Sequence, residues 1–104
     1  MVGFWTVQFA GLQGFGSGVA SLTEDGQVLG GDSSYTYIGT YTRNGDSIAG
    51  TIHVKRYSSD IPGVMGMDEF DMQLTGALQG NLLVVEGAVP GTDIRLSATM
   101  TKQK

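Results

Sequence analysis

The feature that most constrains this chain is an alternation of apolar and polar residues with period two. It runs from one end to the other and is broken only by short turn signals. Successive side chains of an extended strand point to opposite faces, so this pattern builds half-buried strands and leaves no continuous helical stripe. It predicts strands at Phe4 to Ala10, Ser17 to Thr23, Gln27 to Gly31, Ser34 to Arg43, Asp46 to Tyr57, Glu69 to Gln79, Leu82 to Val89 and Asp93 to Thr101, eight in all. Between them, Asp25-Gly26 and Asn44-Gly45 suit type I′ hairpins, Gly80-Asn81 suits type II′, and Pro90-Gly91 suits a type II reversal. Each of these joins neighbouring strands antiparallel.

With no helix to cover an apolar sheet face, the sheet must close or fold over on itself. The expected fold is all-β: an eight-stranded antiparallel up-and-down barrel, with a sandwich as the alternative. The 104 residues make one domain, 1–104, which at this size buries roughly 65% of the surface its unfolded chain exposes. At this strand number the interior is either filled by side chains or just holds one small ligand.

Hairpin turns fix which residues face each other. With Asn44-Gly45 at the tip, Arg43 falls opposite Asp46, Tyr41 opposite Ile48, Gly39 opposite Gly50, Tyr37 opposite Ile52 and Tyr35 opposite Val54. The tyrosines thus share the inward face with Ile and Val. Thr36, Ile38, Thr40 and Thr42 share the outward face with Ser47, Ala49, Thr51 and His53. Pro90-Gly91 sets Val85 opposite Leu96, Leu83 opposite Ala98 and Glu86 opposite Arg95. The candidate cavity lining is Trp5, Tyr35, Tyr37, Tyr41, Ile52, Phe70, Leu74 and Leu83, with Met65 and Met67 near the mouth. The inward glycines Gly39, Gly50, Gly76 and Gly87 either permit sharp coiling or leave space inside. The long connection from Ser58 to Asp68 is the expected lid.

Ten acidic against six basic residues give a net charge of -4, which repels nucleic acid and anionic membranes. There is no cysteine and one histidine, so thiolate metal sites and cysteine nucleophiles are excluded. Asp68, Glu69 and Asp71 lack calcium-loop spacing and read as a solvated acidic rim. His53 reads as a surface or interface residue, and Asp32 as a turn residue bonding its own backbone. No catalytic, metal or cofactor constellation stands out, so no enzyme is expected. No run approaches the ~18 apolar residues of a membrane span, and MVGFWTVQFAGLQ lacks the form of a signal peptide, so a cytoplasmic protein without membrane insertion is expected. Two outward patches, one with Ile38 and Ala49 and one with Ala77, Leu82, Val84 and Ala88, suggest a homodimer.

Gly30-Gly31-Asp32, Tyr35, Tyr37, Gly39 and Tyr41, then His53-Val54-Lys55-Arg56-Tyr57 and Ile61-Pro62, occur in this order between Gly3 and Gly87. In these pieces the chain resembles the GrlR family, negative regulators of type III secretion. The resemblance implies a lipocalin-like eight-stranded barrel that dimerises and represses by binding a transcriptional activator. In the family's prototype that contact is made by an acidic Glu-Asp-Glu-Asp motif. The matching place here, the hairpin tip Thr42 to Ser47, keeps one acidic residue, Asp46, and adds Arg43. Arg43, Asn44, Gly45 and Asp46 are therefore the candidate partner-contact loop, with the scaffold shared and the contact changed. The expected function is a non-enzymatic regulatory protein acting by protein-protein contact. The alternative is a small carrier of an apolar ligand, a fatty acid or lipid.

Overall fold

A computed structural model describes residues 1–11, 14–58 and 68–104. The strands are β1 (Gly3–Gly11), β2 (Gly14–Leu22), β3 (Gln27–Gly31), β4 (Tyr35–Asn44), β5 (Ser47–Arg56), β6 (Glu69–Gln79), β7 (Leu82–Ala88) and β8 (Arg95–Lys102). Each pairs antiparallel with the next, and β8 returns to pair with β1, giving a closed up-and-down barrel. Closure leaves no sheet edge, so the barrel offers no unpaired strand as a template for another chain. Met65, Met67, Pro62 and the expected lid between its ends Ser58 and Asp68 lie outside the described residues.

The turns differ from expectation in an instructive way. A type I′ turn needs positive φ at both central residues, yet no residue other than glycine has positive φ among those described. The β4–β5 turn therefore uses Gly45 (φ 63°) and Asp46 as its central pair, with Gly in the one position that demands a left-handed backbone. The tip moves by one residue, so each partner moves by two: Tyr41 faces Gly50, Gly39 faces Ile52, Tyr37 faces Val54 and Tyr35 faces Arg56. A shift of two preserves the face of every side chain, and the tyrosines remain inward.

Two other turns are longer than the two residues expected. Thr23 bonds Gln27 on both sides, Thr23 N to Gln27 O at 3.0 Å and Gln27 N to Thr23 Oγ1 at 2.9 Å, which encloses Glu24, Asp25 and Gly26 as a three-residue loop. Between β7 and β8, the Thr92 hydroxyl donates to Val89 O (2.8 Å) and accepts from Ile94 N (3.1 Å). This lengthens the loop past Pro90-Gly91, so Val85 faces Ala98, Leu83 faces Met100 and Glu86 faces Ser97. The Glu86–Arg95 pairing is replaced by a bond from Ser97 Oγ to Glu86 at 3.1 Å. At Gly80-Asn81 the expected two-residue turn is kept, with Gln79 opposite Leu82, Leu78 opposite Leu83 and Gly76 opposite Val85.

The core is the barrel interior. Trp5, Tyr35, Met72 and Leu83 are almost completely shielded, and Ala20, Leu22, Val54 and Val85 pack with them. Inward glycines sit opposite large side chains: Gly16 opposite Phe9, Gly50 opposite Tyr41 and Leu74, Gly87 opposite Leu74 and Leu96. Alternating small and large residues lets bulky groups from several strands share a narrow bore. Gly39 is the tightest case, since a Cβ there would lie 2.0 Å from the Thr51 carbonyl oxygen and 2.6 Å from Ile52 Cα. At Gly39 the missing side chain is occupied by neighbouring backbone, and at Gly87 by the Met72 and Leu74 side chains. These glycines therefore serve close packing and do not open space inside.

Candidate functional site

Two regions hold the residues singled out by the sequence: the bore and the β4–β5 tip. In the bore, the inward faces of the eight strands line a cavity of about 90 Å³. Of the anticipated lining residues, Tyr35, Tyr37, Ile52, Phe70 and Leu74 border it. Trp5, Tyr41 and Leu83 do not. Trp5 and Tyr41 belong to the opposite end of the barrel, where Trp5 Nε1 donates to Met1 O at 2.9 Å and the Tyr41 hydroxyl donates to Thr23 O at 2.6 Å. Leu83 is packed in the core between Leu78 and Met100.

The tyrosines meet other aromatics edge to face, Tyr35 on Phe70 (centroids 6.0 Å apart) and Tyr37 on Phe9 (6.5 Å). This is a favoured aromatic geometry. Asp32, in the β3–β4 turn, organises the end of the bore near Tyr37. Its Oδ1 accepts from Ser34 N and Tyr35 N, both at 2.7 Å, and its Oδ2 accepts from the Tyr37 hydroxyl. Tyr57 closes the same corner by donating its hydroxyl to the Asp32 carbonyl. Burial, together with the bond to the Asp32 carboxylate, holds the Tyr37 hydroxyl protonated far above the ordinary tyrosine range. The cavity faces no polar atom of these groups; its wall is carbon and sulfur.

At the tip, Thr42 through Ser47 are all exposed. Arg43 Nε donates to Gly45 O at 2.7 Å, and the Asp46 carbonyl accepts from Leu78 N at 2.8 Å, tying the tip to β6. The tip is thus a held, solvent-facing loop with one cation and one carboxylate side chain.

The outer wall carries two features that turn arithmetic alone does not reveal. His53 on β5 is clasped by two carboxylates of β6, Nδ1 to Asp71 at 2.7 Å and Nε2 to Glu69 at 2.6 Å. Its cross-strand neighbour on β4 is Ile38, where a tip at Asn44-Gly45 would have put Thr36. The bonds to Asp71 and then Glu69 raise its pKa above the usual imidazole value. The third member of the anticipated acidic rim, Asp68, pairs instead with Arg56 at 3.6 Å. Among the described residues no group of three or more His, Asp or Glu could hold a metal ion.

The second feature is the wall of β1–β4. Its outward positions are Phe4, Thr6, Gln8 and Ala10 on β1, Phe15, Ser17, Val19 and Ser21 on β2, Gln27, Leu29 and Gly31 on β3, and Thr36, Ile38, Thr40, Thr42 and Asn44 on β4. None is charged, in a chain with 16 charged residues. Register lines up Phe4, Ser21, Leu29 and Ile38 in one row across the four strands, with Val19 beside it. Phe4, Leu29 and Ile38 of this row and Val19 beside it are 41% to 57% exposed, and Phe15, farther along β2 on the same face, is 88% exposed. The charged outward groups His53, Lys55, Glu69, Asp71, Glu86 and Arg95 lie on β5–β8. The face with Ala77, Leu82 and Val84 is smaller and adjoins Glu86 on its own strand.

No protein-family model matches the chain, and a search of the curated proteins returns no match.

Proposed function

We propose that this barrel is a non-enzymatic regulatory protein that acts by protein-protein contact. In this reading it associates with a second copy of itself through the β1–β4 wall and meets a different protein through the tip Arg43, Asn44, Gly45 and Asp46. The observation that carries the reading is the uncharged wall with its exposed apolar row. Solvent-facing strands normally alternate apolar with charged or polar residues, and depletion of charge at an apolar centre is the compositional mark of a contact surface. Two copies meeting wall to wall also leave the charged outward groups of β5–β8 in water, so the contact desolvates none of them. A two-fold contact of this kind is self-complementary, since the row of one copy meets the row of the other.

The resemblance to negative regulators of type III secretion supplies the class of the second partner, a transcriptional activator. The tip differs from the family's acidic motif in carrying Arg43, so the partner's surface complements one positive and one negative group in place of a run of carboxylates. The carrier reading is weaker because ligand pockets span roughly 300–1,000 Å³, whereas the bore leaves about 90 Å³.

The absence of cysteine makes a direct test simple. Ser21→Cys places one thiol at the centre of the wall, and Gln73→Cys places one on β6 on the opposite side. Under mild oxidation or with a short bismaleimide at low protein concentration, the Ser21 variant is expected to cross-link to a dimer and the Gln73 variant to remain monomeric. Equal cross-linking of the two would remove the wall as the contact.

A further inference from the structure

We propose that the bore is a binding site for one small, wholly nonpolar molecule, in the size class that runs from xenon up to a single benzene ring. It excludes fatty acids and lipids. The inference rests on the cavity alone and is independent of the contacts proposed above.

The cavity measures about 90 Å³ and is bordered by side chains from all eight strands and by Asp32 of the β3–β4 turn, whose oxygens are turned away from it. The nearby polar groups are already engaged: both Asp32 carboxylate oxygens accept hydrogen bonds, one of them from the Tyr37 hydroxyl. Among the described residues no buried side-chain nitrogen or oxygen lacks a partner. A water molecule in this space would find none of the two to four polar partners that hold buried water. Apolar cavities of ~150 Å³ stay dry and take up benzene or xenon. Here the smaller volume sets the upper size limit.

The chemistry of the occupant follows from the wall. A nonpolar guest restores dispersion contacts that the lining atoms lack on one side. A guest with a hydroxyl or carboxyl group would bury it against carbon without a partner, which opposes binding. A fatty acid fails on both size and charge. The space is also not an accident of missing side chains at the inward glycines, since at Gly39 and Gly87 that room is filled by Thr51 and Ile52 or by Met72 and Leu74.

Met72 and Met100 border the cavity and Met1 does not, which provides built-in reporters. The full chain, labelled with ¹³C at the methionine methyl groups, is titrated with xenon under pressure and separately with palmitate. The expected result is that the Met72 and Met100 methyl signals shift saturably with xenon, several-fold more than Met1, and that palmitate neither shifts them nor displaces xenon. Ala98→Leu, which fills the space beside Val85, is expected to abolish the xenon response. Val85→Ile serves the same purpose with a smaller perturbation if the leucine variant does not fold. Xenon shifts at Met72 and Met100 no larger than at Met1, an undiminished response in the folded filled variant, or displacement of xenon by palmitate would each overturn the proposal.

Discussion

Replacing Gly39 by alanine tests the close strand approach on which the interior packing depends. The added Cβ would sit 2.0 Å from the backbone oxygen of Thr51 and 2.6 Å from Ile52 Cα. Both are main-chain atoms of β5, so no rotamer change relieves the clash and the β4–β5 ladder itself must give. Overpacking of this type costs about 1–3 kcal/mol, and a backbone obstacle puts Gly39 at the upper end. The lower entropy of alanine in the unfolded chain offsets about 0.4–1 kcal/mol, leaving a net loss of about 2 kcal/mol. For a domain near this size each kcal/mol moves Tm by about 4–8 °C, so Gly39→Ala is expected to lower Tm by roughly 8–16 °C. Gly45→Ala provides the comparison: no atom lies within 4 Å of its Cβ, and the only penalty is its φ of +63°. That strain is worth about 1–2 kcal/mol. Calorimetry or urea unfolding with a common m-value reads both. A Gly39 variant no less stable than the Gly45 variant would refute the strand contact as drawn.

Other consequences can be measured in the same way. Tyr37→Phe removes the hydroxyl that Asp32 accepts, and a bond to a charged group is worth about 1.5–3 kcal/mol, so urea unfolding should show a loss in that range with an unchanged m-value. Because the wild-type hydroxyl is held protonated, ultraviolet titration of the folded protein should leave Tyr37 un-ionised until alkaline unfolding exposes it. His53 is the only histidine, so its ring signals are unambiguous in NMR; titration should give a pKa above the ordinary value of about 6.5. A raised folded pKa means that its contribution to stability is complete below the unfolded value of about 6.5 and fades as pH rises through the folded value. His53→Gln should flatten stability across that window, and a His53 pKa at or below 6.5 would contradict the clasp by Glu69 and Asp71.

Much of the barrel was legible because period-two alternation and glycine-marked turns are local signals, and closure follows once no helix is available to cover the apolar face. Faces were legible even where register was not. Asn44-Gly45 and Gly45-Asp46 both satisfy a two-residue turn, and the choice between them puts Gly50 rather than Ile48 opposite Tyr41. Room for a tyrosine ring inside the bore is a tertiary requirement that turn chemistry does not encode. The clasp at His53 was out of reach for a related reason. β5 and β6 are joined by the longest connection, so no hairpin count fixes His53 beside Asp71. Trp5, Tyr41 and Leu83 have the right face for the cavity, but position along the barrel axis decides which inward residues border it. The uncharged wall was open to view only in part: Ile38 stood out, while Phe4, Val19 and Leu29 join it only when the pairings of β1, β2, β3 and β4 are read together.

Sedimentation of the wild type beside Ile38→Lys tests the proposed contact most directly. Ile38 is 57% exposed at the end of the apolar row, so lysine there costs the fold little and puts a charge into the surface where two copies would meet. The wild type is expected to sediment as a dimer at micromolar concentration and the variant as a folded monomer with unchanged circular dichroism. A wild type that remains monomeric, or a variant that dimerises as well as the wild type, would contradict association through the β1–β4 wall.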